Sequence, residues 1–216
     1  MMTENQQLEA IEHHVKKALL SESSGHDWWH IHRVRNAALK IAAAEGANSF
    51  ICQSAALLHD MIDDKLFDNP EAEKIKLQAF LEEIEVSKDD SDWILAIIDS
   101  ISFKAGQGGV PETLEGQIVQ DADRLDAIGA IGIARTMAYS GNKGRLIHDP
   151  EMQARDHLTL EEYRSGQDTA IMHFYEKLLK LKDLMNTSYA QKLAQDRHDY
   201  MLGFLEQFYA EWEGDK

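Results

Sequence analysis

The sequence predicts an all-α fold, and three observations carry that prediction. Apolar residues recur at helical spacing along most of the 216 residues. Strand signals are nearly absent: no β-branched runs alternate, and no Asn-Gly hairpin dipeptide occurs. The 3 prolines, Pro70, Pro111 and Pro150, each fall between helical patterns.

The elements follow in order. Residues 5–20 place Leu8, Ile11, Val15, Ala18 and Leu19 on one stripe. Residues 26–45 do the same with Ile31, Val34, Ala38, Ile41 and Ala42, and Gly46 is their stop. Asn48 is the N-cap of a helix over 48–62. Asn69 caps the next helix, 70–84, with Pro70 at its first position. Ser87 opens a helix that runs to residue 103, and Gly106, Gly108, Gly109 and Pro111 then break the chain. One long helix is predicted over 112–139, and a loop with at most a short helical turn over 140–165. Two long helices, 166–185 and 189–212, finish the chain. No repeat, low-complexity segment or shift of composition divides the sequence, which assigns residues 1–216 to a single domain.

Composition narrows the function classes. Hydrophobic residues make up 44% and charged residues 28%, as in a soluble globular protein. Lys plus Arg is 22 against 38 for Asp plus Glu, a net charge of −16. That balance argues against an extended nucleic-acid surface, which needs clustered cations. It is compatible with a small phosphorylated substrate, because a local metal ion overrides the global field. The one cysteine, Cys52, lies in an apolar stretch and is expected to be a buried thiol. The opening residues, MMTENQQLEAIEHH, lack the apolar core of a signal peptide, and no apolar run reaches membrane-spanning length. The expected setting is the cytoplasm, without a membrane partner. Helical stripes serve cores and interfaces alike, so the sequence leaves the oligomeric state open.

Ten histidines in an acidic chain direct attention to metal ligands. The His-Asp dipeptide occurs four times, at His26, His59, His148 and His198, so context has to choose. His59-Asp60 ends the apolar run AALLHD, and Asp63, Asp64 and Lys65 follow at once. Four imidazole or carboxylate groups within six residues are costly at the edge of a core without a compensating cation. Taken alone, the segment fits a solvated helix end equally well. His30, Arg33 and Val34 share a helix face in WWHIHRVRNAA. Taken alone, His30 reads as a surface histidine beside an aromatic pair. GQIVQDADRLDAIGAIGIAR carries Asp121, Asp123, Arg124 and Asp126 on a helix of small residues, where the competing reading is an Asp–Arg network.

Together the pieces are more specific. The order His30, His59-Asp60, Asp123 resembles the HD-domain superfamily of metal-dependent phosphohydrolases. The strings HDWWHIHRVRNAALKIA, AALLHDMIDDK and VQDADRLDAIGAIGIAR are similar to its YedJ/YpgQ-like branch over essentially the whole chain. The resemblance implies an all-α HD-domain helical bundle and one divalent metal held by His30, His59, Asp60 and Asp123, with Asp121 as the fallback for Asp123. It implies hydrolysis of a phosphoester or phosphoanhydride bond. The resemblance leans towards a nucleotide as substrate, with cleavage of a triphosphate to monophosphate and pyrophosphate, while a nucleoside monophosphate, a cyclic dinucleotide and a phosphorylated metabolite stay open. Asp63 is implied as the residue that orients or deprotonates water, with Asp64 in support.

Arg33, Lys65 and Arg124 each stand beside a metal ligand in the sequence and are the first expectations for binding substrate phosphate. Lys104, Lys143, Arg145, His173 and Lys177 are weaker ones, and Asp27 is placed to orient His30. Two histidines and two aspartates suit Mn²⁺, the favoured ion, and also Fe²⁺, Co²⁺, Ni²⁺, Zn²⁺ or, less comfortably, Mg²⁺. Two-metal HD enzymes carry extra histidines after the His-Asp pair, and none occurs between Met61 and Ala122. His26-Asp27-Trp28-Trp29-His30 has the histidine spacing of a zinc-protease helix, but Asp stands where Glu is needed. A non-catalytic nucleotide-binding or regulatory HD module is the alternative from another class, and a metal-free helical interaction protein is the plainest one.

Overall fold

A computed structural model of the protein describes residues 1–19, 27–62, 69–101, 109–155 and 168–216. All regular elements among the described residues are helices, as the periodicity predicts. The chain divides into two compact units, Met1–Asp123 and Arg124–Lys216.

In the first unit, α1 (Glu4–Leu19), α2 (Trp28–Glu45), α3 (Ser49–Leu58), α4 (Pro70–Glu83) and α5 (Lys88–Ile101) precede most of α6 (Leu114–Asp126). Helix α3 is the centre, and every residue from Phe50 to Leu58 is buried. A helix buried all round has no solvent face to offer, and α1, α2 and α5 pack around it. The burial of Cys52 pushes its thiol up to about 12, leaving an inert core residue. Helix α1 buries Leu8, Ile11, Val15 and Leu19. Ala18 is exposed instead, and the fifth buried position belongs to Gln7, whose amide donates to the Ile84 and Glu85 carbonyls.

Local rules set the helix ends. Asn48 Oδ1 accepts from the Phe50 and Ile51 amides at 3.0 and 3.2 Å, and Asn69 Oδ1 from Ala72 at 3.1 Å. Gly46 ends α2 in the left-handed region at φ 74°. Ser87 Oγ accepts from the Asp90 amide at 3.1 Å.

The second unit holds α7 (Gly129–Asn142), α8 (Ala170–Glu176), a 3-10 helix (Leu178–Leu184) and α9 (Ser188–Glu213). Two long helices expected from the periodicity are interrupted here. The one over 112–139 breaks at Ile128, which is extended (φ −125°, ψ 167°), and at Gly129, at φ 74°. A Cβ on Gly132 would lie 2.3 Å from the Ala127 carbonyl oxygen, so the small residues serve a tight corner rather than helix packing alone. Arg135 pairs with Asp126 at 2.5 Å, and the Arg197 guanidinium donates to the Leu125 carbonyl. These two arginines satisfy the end of α6, where backbone carbonyls lack helical partners. The helix expected over 166–185 is broken at Lys177 (φ −135°, ψ −60°) into α8 and the 3-10 helix, and its first residues lie outside the described ones. Gly132→Ala is expected to lower stability by roughly 1–3 kcal/mol, the usual cost of overpacking. The midpoint of urea denaturation reads the change.

Candidate metal centre

His59 and Asp60 follow directly on α3, so the central helix delivers both side chains to the edge of its own core. The His59 Nδ1–H donates to the Ala56 carbonyl at 2.8 Å. A carbonyl can only accept, so this bond places a proton on Nδ1 and makes Nε2 the nitrogen that faces the cluster. Nε2 faces Asp60 Oδ1 at 3.4 Å and Asp123 Oδ1 at 3.9 Å. His30 enters from the first turn of α2 and its Nε2 lies 3.6 Å from Asp60 Oδ2 and 3.4 Å from Asp123 Oδ1. The two imidazole rings stand at 68° with centroids 5.3 Å apart.

With metal–ligand bonds of about 2.0–2.2 Å, neighbouring donors sit about 3.0–3.5 Å apart. Two of the four separations, both 3.4 Å, fall within that range, and those of 3.6 and 3.9 Å lie just beyond it. Two imidazole nitrogens and two carboxylates that converge this closely at the edge of an apolar core call for a cation among them. His30, His59 and Asp60 are buried and their ligand atoms lie within 4.8 Å of one another. The donor set therefore fits one divalent metal. The Asp123 side chain is 40% exposed, so the cluster meets solvent on that side.

Several sequence expectations resolve further. Asp121 is fully buried and stands about 200° round α6 from Asp123. Asp126 belongs to the ion pair with Arg135, so the Asp–Arg network applies to it. Asp27 acts on His30 through the backbone: it is the N-cap of α2, and its side chain accepts from the His30 amide at 2.8 Å. The sequence carried that signal, since an Asp stands just before an apolar helical pattern.

Arg33 is one turn beyond His30 on α2 and partly buried. The Arg124 guanidinium donates to the Leu184 carbonyl at the end of the 3-10 helix. Arg145 pairs with Asp168 at 3.2 Å, and its guanidinium and the Lys143 ammonium both lie over the Tyr139 ring. His173 is pushed down to about 3 by burial, then by Lys177 and Arg145, so it is neutral in the second unit. His26, Asp63, Asp64, Lys65 and Lys104 lie outside the described residues.

Comparison with known proteins agrees with this geometry. The HD domain family matches residues 28–128, a span that includes all four converging side chains. YpgQ of Bacillus subtilis (strain 168) is 41% identical over 209 residues, spanning 95% of this chain and 94% of that one. A structure from Lactobacillus plantarum superimposes with a TM-score of 0.82 at 48% identity, covering 99% of both chains. An HD-superfamily hydrolase from Bacillus thuringiensis gives 0.80 at 44% identity, over 98% of this chain and 100% of that one. The structure of Bacillus subtilis YpgQ in complex with ADP gives 0.77 at 38% identity, over 97% of this chain and 100% of that one. A chain that matches the HD domain model across its His and Asp cluster, and is alike to these proteins over nearly its full length, belongs to the HD-domain superfamily of hydrolases, in the branch that includes YpgQ.

Proposed function

We propose that the protein is a metal-dependent phosphohydrolase that cleaves a phosphoester or phosphoanhydride bond of a nucleotide. The observation that carries this reading is the convergence of His30, His59, Asp60 and Asp123 at 3.4–3.9 Å. The ADP held by YpgQ supports a nucleotide as the ligand class. Cleavage of a nucleoside triphosphate to monophosphate and pyrophosphate is the reaction favoured.

In this proposal His30, His59, Asp60 and Asp123 hold one divalent ion per chain, Mn²⁺ first among those that two histidines and two aspartates accept. The ion would supply Lewis acidity toward a phosphate oxygen. Asp63, four residues beyond His59, orients the attacking water and takes its proton as the phosphorus–oxygen bond to the leaving group breaks, and Asp64 supports it. Arg33 and Lys65 neutralise phosphate charge. Arg124 is retained for its place beside Asp123 in the sequence, although its guanidinium also serves the Leu184 carbonyl. The chain acts as one domain in the cytoplasm. No described helix is long and apolar enough to cross a membrane.

The test is metal content of the purified protein, then release of phosphate and pyrophosphate from a panel of nucleotides with Mn²⁺ supplied. Near one metal per chain with release from at least one nucleotide is the expected result. Metal without release from any of them would favour the regulatory HD module. No metal after Mn²⁺ loading would overturn the metal site itself.

A further inference from the structure

Trp28 and Trp29 are neighbours in sequence and part company in the structure. Trp28 is buried at 2% exposure with the Lys16 ammonium 5.6 Å above its ring, whereas Trp29 is 58% exposed. An isolated exposed apolar residue is ordinary. The setting of Trp29 is not. At about 100° per residue, Arg33 stands about 60° round α2 from His30, and Trp29 about 100° in the same sense. Arg33 therefore stands between His30 and Trp29 in angular order round α2, and Trp29 and Arg33 are i, i+4 neighbours on the helix surface.

The indole is also held in place. His32 packs against it at 82°, with centroids 5.8 Å apart. The Asn36 amide donates to His32 Nε2 at 3.0 Å and fixes that imidazole in turn. His30, Arg33 and a braced, solvent-facing Trp29 thus succeed one another on one side of α2. A nucleoside phosphate presents matching chemistry in the same order: phosphate oxygens for the ion proposed at His30 and for Arg33, then a flat base for the ring.

We propose that Trp29 is the base-stacking platform of the substrate site and confers preference for nucleotides over inorganic phosphate chains. The inference rests on the phosphohydrolase reading above. Stacking is tolerant of base identity, so the platform selects for the presence of a base.

The test compares Trp29→Ala and Trp29→Phe with the unmodified chain. Nucleoside triphosphates serve as substrates, inorganic tripolyphosphate as substrate or competitor, and ADP binding is measured by calorimetry in Mn²⁺. Trp29→Ala is expected to raise the nucleotide KM and the ADP Kd by roughly 5- to 150-fold, the range that base–aromatic stacking supplies. Tripolyphosphate constants and kcat should stay within about twofold, and Trp29→Phe should recover most of the loss, since both rings offer a π face. An equal loss for tripolyphosphate would make Trp29 a structural residue and overturn the proposal. So would nucleotide constants left unchanged by Trp29→Ala when the unmodified chain turns nucleotides over. A wild-type protein that neither binds nor hydrolyses any nucleotide would instead overturn the phosphohydrolase reading, and the platform with it.

Discussion

Asp60→Ala is expected to take the metal content from near one per chain to near zero, and activity to the uncatalysed background. Asp60 is the buried carboxylate of the cluster and meets the two imidazoles with different oxygens, one 3.6 Å from His30 Nε2 and the other 3.4 Å from His59 Nε2. Removing it leaves two imidazoles and Asp123, and it takes away half of the negative charge that those two carboxylates provide for a divalent ion. Outer-sphere partners of metal ligands are already worth about 10–100-fold in affinity or activity, so loss of a ligand lies above that range. The fold should survive, because Asp60 follows α3 and contributes nothing to the apolar packing of Phe50 to Leu58. Far-ultraviolet circular dichroism close to that of the unmodified chain, beside lost metal in elemental analysis, is the expected pair of results. Metal retained at full stoichiometry would remove Asp60 from the centre. Asp60→Asn sharpens the reading: it keeps the volume but loses the charge, so it should bind metal weakly.

How legible this site and its scaffold were depends on the range of the forces involved. Helix ends set by a residue and its near neighbours were readable, as at Gly46, Asn48 and Asn69-Pro70. The apolar run of α3 was readable for the same reason, and with it the placing of His59-Asp60 at the edge of a core. The break between α6 and α7 was not, because its causes are tertiary. The Arg197 guanidinium reaches the Leu125 carbonyl across 72 residues of sequence, and the aliphatic part of the same side chain stands 2.9 Å from where a Cβ on Gly129 would lie. Gly129 and Gly132 were visible, but in a helical pattern a glycine marks close packing or a corner with equal ease. The convergence of His30, His59-Asp60 and Asp123 could be named from family resemblance, not from spacing, since 29 residues separate the first two and 63 the next pair. What no pattern carried is the bond from His59 Nδ1 to Ala56, which fixes the nitrogen that faces the carboxylates.

Asp63→Asn tests the chemistry apart from the metal. The proposal gives Asp63 the proton of the attacking water, and the amide is nearly isosteric with the carboxylate but cannot take that proton. General-base assistance contributes typically about 10²–10⁴-fold, so kcat should fall by roughly that factor. Metal content and the Kd for ADP should remain near wild-type values, because Asp63 is not among the four proposed ligands. The pH profile separates this role from mere positioning. A carboxylate base must be ionised to work, so the acidic limb of kcat against pH should flatten in the variant. Asp64→Asn, one residue further round, should lower kcat by less than Asp63→Asn. Unchanged turnover in Asp63→Asn would remove Asp63 from the mechanism, and a larger effect at Asp64 would transfer the role to its neighbour. Loss of metal in Asp63→Asn would instead move Asp63 into the coordination sphere, and the centre would then hold five protein donors rather than four.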